Sequence, residues 1–65
     1  MAFFPRKIPS IGASVKLVTC ITNPYGTFEQ GTYMTIISQN EDGYRLEDEF
    51  KNTVSGVDAN KFIVL

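Results

Sequence analysis

From residue 14 onward, apolar residues recur at every second position in short runs separated by turn-forming residues. Residues 14–21 are rich in β-branched side chains and lack Gly and Pro, a strand signature. Val15, Leu17, Thr19 and Ile21 share one face, and Lys16 marks the other as wet. Residues 32–39 repeat the pattern, with Met34 and Ile36 on one face and Tyr33, Thr35 and Ile37 on the other. Residues 44–48 turn Tyr44 and Leu46 inward, and Arg45 and Glu47 outward. Residues 53–57 and 62–65 predict a short fourth strand and a closing fifth. No stretch shows the 3.6-residue period of a helix long enough to compete.

The punctuation between these runs is local turn chemistry. Thr22-Asn23-Pro24-Tyr25-Gly26 predicts a turn, since proline presets φ and glycine accepts the closing geometry. The excursion from residue 22 to residue 31 looks too long for a tight hairpin. Asn40-Glu41-Asp42-Gly43 is a strong hairpin signal, a polar run closing on Asp-Gly between two alternating segments. Glu49-Phe50-Lys51-Asn52 predicts a second turn, and residues 58–61 a single helical turn capped by Asp58. The five glycines stand alone at expected turns and make no phosphate-cradling motif. Residues 1–12 hold Pro5, Pro9 and Gly12, which disfavour both helix and central strand. Phe3, Phe4, Ile8 and Ile11 are apolar enough for this arm to pack on the domain. The alternative is a partner-binding arm of Phe3, Phe4, Arg6 and Lys7.

Five short strands cannot all stay open edges in a domain this small, so closure into a barrel is the economical arrangement. The expected architecture is all-β: an N-terminal arm over residues 1–12, then a single five-stranded barrel over residues 13–65 with one helical turn before the last strand.

Sixty-five residues make one domain that buries only about 60% of its unfolded surface, so a partner or self-association would add useful stability. The apolar fraction of 43% and charged fraction of 20% exclude a disordered chain. The net charge of -1 weakens any long-range attraction to phosphate. Cys20 is the only cysteine and there is no histidine, which excludes an intramolecular disulfide and a structural zinc; no cofactor is expected. Within Val18-Thr19-Cys20-Ile21, the thiol reads as a buried, inert small hydrophobe. No run approaches the ~18 apolar residues of a membrane span. The first residues lack the apolar run of an export signal, so a cytoplasmic protein is expected.

Catalysis is not expected. The commonest general base is missing, and Ser10, Ser14, Ser38 and Ser55 lie outside any nucleophile-elbow context. Glu41-Asp42 sits in a hairpin turn. Glu47 and Asp48 are neighbours at a strand end, where alternation would send them to opposite faces.

The succession of strand, long loop, strand, tight hairpin, strand, short turn, strand, helical turn and strand resembles an SH3-like barrel, from Gly12 to Leu65. "IGASVKLV" resembles the first strand of such barrels, and "GTFEQGTYMTII" the loop end and second strand, with Gly31 where the chain turns into the sheet. "GYRLED" resembles the third strand, and "VSGVDANKFIVL" the fourth strand, helical turn and closing strand. "NPYGTFEQGT" and "GVDANKFIVL" are most similar to a group of short KOW-like and SH3-like proteins carried by bacteria, phages and other mobile elements. That group commonly carries a Trp-Asp pair, and this chain has no tryptophan. The missing tryptophan also argues against a groove for proline-rich peptides, although Tyr25 sits in the corresponding loop.

Tyr25, Phe28, Tyr33 and Phe50 fall in loops or opposite the core stripe, too many to be interior in so small a barrel. With Glu47, Asp48 and Glu49 beside them they make an anchor-and-rim surface for a protein partner. The plainer alternative gathers two or three of the aromatics under the long loop. The expected function is a non-catalytic interaction module of phage or mobile-element origin that binds a bacterial host protein. A second expectation is a KOW-like nucleic-acid or ribosome binder using Arg6, Lys7 and Lys16 with Phe3 and Phe4, against which the seven acids count. A third is a small self-associating virion component that pairs through edge strands.

Overall fold

The computed structural model describes residues 9–65. Among the described residues the chain is mostly β: β1 (Ser14–Leu17), β2 (Ile21–Asn23), β3 (Gly26–Phe28), β4 (Tyr33–Asn40), β5 (Gly43–Glu47), β6 (Thr53–Val57), a 3₁₀ turn (Ala59–Lys61) and β7 (Phe62–Val64). Five strands form an antiparallel sheet in the order β6-β5-β4-β1-β7, and β2 and β3 form a separate ribbon. Among the described residues the expected closed ladder is not formed, because β6 and β7 stand as the two edges of the sheet and do not pair with each other. None of the described helices is long and apolar enough to cross a membrane.

Strand length here follows the supply of partners. β1 pairs with β4 on one side and β7 on the other, from Ser14↔Thr35 and Val15↔Val64 to Lys16↔Tyr33 and Leu17↔Phe62. The Val18 N–H still donates to the Lys61 carbonyl at 2.9 Å. Beyond it neither neighbour continues, so the strand predicted over residues 14–21 breaks after Leu17 despite its β-branched composition. The break leaves Cys20 exposed, which corrects its expected burial.

Ile21 then opens a tight hairpin inside the excursion that looked too long for one. Ile21 pairs with Phe28, Thr22 with Thr27 and Asn23 with Gly26 across the two-residue link Pro24-Tyr25. The Tyr25 N–H donates to Asn23 Oδ1 at 2.8 Å, so asparagine and proline together close the turn. The chain returns to the sheet through Thr32, whose N–H and hydroxyl both donate to the Glu29 carbonyl at 3.1 and 2.6 Å.

Two irregularities reshape the sheet at one level. On β4, Ile36 faces Leu46 and Ser38 faces Arg45, so Ile37 is an extra residue. On β6, Val54 faces Leu46 and Val57 faces Tyr44, so Ser55 and Gly56 together oppose Arg45. Both neighbours of β5 therefore bulge beside Arg45, and bulges raise local twist and bend a strand. Gly56 adopts φ +70° within β6 to permit this, and so lies in a strand instead of the expected turn.

Val15, Leu17, Met34, Ile36, Leu46, Val54, Val57 and Phe62 fill the core from the sheet, and Phe28 joins them from the ribbon. Tyr44 meets Phe62 edge to face, with ring centroids 5.4 Å apart. Side chains of β5 and β7 thus meet across the interior where their backbones do not pair. The remaining corrections are small. Asp58 precedes the 3₁₀ turn but its side chain makes no cap bond; the Lys61 N–H donates to the Asp58 carbonyl instead. Ile11 is exposed at a turn in which the Ala13 N–H donates to the Ser10 carbonyl, so it does not pack as expected of the arm. Phe3, Phe4, Arg6, Lys7 and Ile8 lie outside the described residues.

Candidate functional site

The β2–β3 hairpin and the β5–β6 turn lie side by side, and the space between them forms a first cleft of about 440 Å³. Tyr25, Thr27 and Phe28 line one wall, and Asp48, Asn52 and Thr53 the other. Thr27, Phe28 and Asp48 also border a second cleft of about 420 Å³ that leads to Tyr33, Glu49 and Phe50. A third, of about 290 Å³, continues past Tyr33 and Glu47 to Ser14 and Leu65. All seven residues expected to form a protein-binding surface therefore line three adjoining clefts.

They contribute differently. Tyr25, Phe50 and Tyr33 are 98%, 74% and 63% exposed, as anchor residues require. Phe28 is only 9% exposed and belongs to the core, which corrects its expected place at the surface. Its pairing with Ile21 turns the ring inward, and what remains visible forms the wall shared by two clefts.

Asp48 is more than a rim acid, because its carboxylate builds the turn. The backbone N–H groups of Phe50 and Asn52 donate to Oδ1 at 2.9 and 2.8 Å, and the Asn52 side chain donates to Oδ2 at 3.3 Å. The Asp48 N–H donates in turn to the Asn52 carbonyl at 2.9 Å. This closed ring of bonds fixes the backbone that presents Phe50. It also forces Lys51 to φ +71°, a left-handed conformation unusual for a residue with a side chain. Because β5 ends at Glu47, strand alternation stops before Asp48. The two acids therefore do not diverge as expected, and both line the third cleft.

Of the three bases expected to bind nucleic acid, Arg6 and Lys7 lie outside the described residues. Lys16 places Nζ 5.6 Å from the ring centroid of Tyr33, its cross-strand neighbour, in a cation–π contact. Lys16 is thus part of the same surface as the aromatics. Val18, Ile63 and Leu65 are exposed apolar residues that add to it and that sequence reasoning overlooked. The signal was there: alternation that buries Phe62 sends Ile63 outward. Among the described residues no group of three or more His, Cys, Asp or Glu is placed to hold a metal ion. The chain matches no protein-family model, no curated protein and no solved structure.

Proposed function

We propose that this chain is a non-catalytic interaction module with the architecture of an SH3-like small barrel, and that it binds a protein through Tyr25, Tyr33 and Phe50. The observation that carries this reading is the grouping of three exposed aromatics around adjoining clefts, with Glu47, Asp48 and Glu49 at their edge. Large aromatic anchors in a rigid frame lose little conformational freedom on binding, which makes such positions energetic hot spots. The hydrogen bonds of Asp48 supply that rigidity at Phe50. The barrel assignment draws support from the order of elements, a hairpin-bearing excursion after the first strand and a single 3₁₀ turn before the last. A bacterial partner and a mobile-element origin rest on the sequence resemblance alone.

The test is capture from a bacterial lysate by the tagged protein, with and without nuclease, at low and high salt, beside Phe50→Ala and Tyr25→Ala. One stoichiometric protein that survives nuclease and salt and disappears with Phe50→Ala supports the reading. Material lost on nuclease or salt treatment overturns it and favours nucleic acid, whose binding falls steeply with salt. A mass that rises with concentration on a sizing column, with no captured protein, favours self-association.

A further inference from the structure

We infer that β7 is a pairing edge for a second copy of this chain, and that two copies join their sheets antiparallel about a two-fold axis at Ile63. The first argument is a contrast between the two edges. A free edge strand offers a row of backbone donors and acceptors to any other strand, and proteins blunt it with charges, prolines or bulges. β6 is blunted, since Ser55 and Gly56 together oppose Arg45 and Gly56 turns to φ +70°. β7 has none of these devices. It pairs with β1 without a break in register, and Phe62, Ile63 and Val64 are all apolar. Among the described residues no strand pairs with its other side.

The second argument is the phase of the ladder. The Leu65 N–H donates to the Ser14 carbonyl and the Val18 N–H to the Lys61 carbonyl, both at 2.9 Å. Backbone groups of successive residues point to alternate sides of a strand. Those of Lys61, Ile63 and Leu65 therefore face β1, and those of Phe62 and Val64 face away from it. An antiparallel copy then sets Phe62 opposite Val64 of the second copy, and Val64 opposite its Phe62, each pair exchanging both bonds. Ile63 meets its own counterpart at the axis.

The third argument is what this register does with exposed side chains. On the outer face, Ser14, Lys16 and Val18 stand in rows with Leu65, Ile63 and Lys61. Pairing at β7 extends each row into the second copy. The row of Lys16 and Ile63 runs on to Ile63 and Lys16 of the second copy, and the row of Val18 and Lys61 to its Leu65 and Ser14. Val18, Ile63 and Leu65 are 41%, 50% and 46% exposed, and in the pair all three gather around the axis from both sides. The aliphatic stem of Lys61 lies among them. Such a contact is isologous and closes at two copies, because the blunted β6 edge does not propagate it. Tyr25 and Phe50 lie in none of these rows, so the contact goes beyond the proposed function and leaves both anchors free.

The test is analytical ultracentrifugation of the full chain under reducing conditions, which keep the exposed Cys20 from cross-linking. Contacts of this small kind, below about 1,200 Å², are weak, so the series runs up to about 1 mM protein. The expected result is a mass that rises from one copy to two and no further. Ile63→Lys, at a half-exposed position outside the core, is expected to raise the dissociation constant at least about tenfold by setting like charges at the axis. A second variant reads the register. In a non-hydrogen-bonded pair the Cα atoms lie about 4.5 Å apart, within the span of a disulfide. Ile63→Cys with Cys20→Ser, oxidised by glutathione disulfide, is therefore expected to trap a covalent dimer. Ser55→Cys with Cys20→Ser, on β6, is not. A mass of one copy throughout, a mass that climbs past two, a dimer that Ile63→Lys leaves intact, or equal trapping at residues 55 and 63 overturns the inference. No other protein is present, so each of these outcomes is separate from a failed capture experiment.

Discussion

The Asp48 carboxylate is the support of the β5–β6 turn, and replacing it gives the sharpest test of how this surface is held. Asp48→Ala removes acceptors for two backbone N–H groups at 2.9 and 2.8 Å and for the Asn52 side chain at 3.3 Å. Hydrogen bonds to a charged group contribute about 1.5–3 kcal/mol when buried, but water can reach this turn, so about 0.5–1 kcal/mol for each backbone bond is the better figure. The expected loss is about 1–2 kcal/mol for Asp48→Ala. Asp48→Asn keeps an oxygen facing both N–H groups and loses the charge and the third bond, for about 0.5 kcal/mol. With a urea m value of about 1 kcal/mol/M for a domain of this size, the midpoint falls by roughly 1–2 M and 0.5 M respectively. Equal loss for the two variants, or no loss with alanine, would refute the assignment of the carboxylate as an acceptor that organises the turn. Asp48→Ala should also reduce partner capture, since Phe50 then loses its fixed presentation.

Three further predictions follow from backbone geometry and exposure. At Gly43 φ is +132° and an added Cβ would lie 2.7 Å from the Val57 carbonyl oxygen, whereas Gly31, at φ +90°, has open space around it. Thermal melts should therefore show a loss of at least about 2 kcal/mol for Gly43→Ala, against about 1 kcal/mol for Gly31→Ala. Lys51→Gly should raise stability by about 0.5–1 kcal/mol by relieving the left-handed strain at φ +71°. Its ion pair with Glu47, at 3.7 Å on a largely exposed side chain, adds too little to offset that gain; a lower urea midpoint would contradict the reasoning. Cys20, being exposed, should react with a thiol reagent as fast in native buffer as in urea, and strong native-state protection would contradict its placement.

What the sequence determined by itself is the part of the structure set by near neighbours. Alternation over Val15 and Leu17, Met34 and Ile36, and Leu46 names residues that are all in the core, because a strand sends successive side chains to opposite faces whatever lies beyond it. Asn40 and Gly43 pair as the hairpin signal requires, with the Asp42 N–H donating to Asn40 Oδ1 at 2.9 Å, since all the groups involved lie within four residues. The surplus of aromatics was legible too, and three of the four stand at the surface.

Tertiary structure alone decided the rest. β1 stops at Leu17 because β4 and β7 offer no ladder beyond it, a fact that the strand-forming Val18-Thr19 pair cannot encode. The paired bulges beside Arg45 depend on the registers of two neighbouring strands. Which aromatic turned inward was settled by the Ile21–Phe28 pairing, which lays one ring against a core built from strands far away in sequence. The clefts arise because two turns separated by some twenty residues come to lie side by side. Local chemistry chose the strands and turns; long-range pairing chose where they end, what they bury and which residues meet.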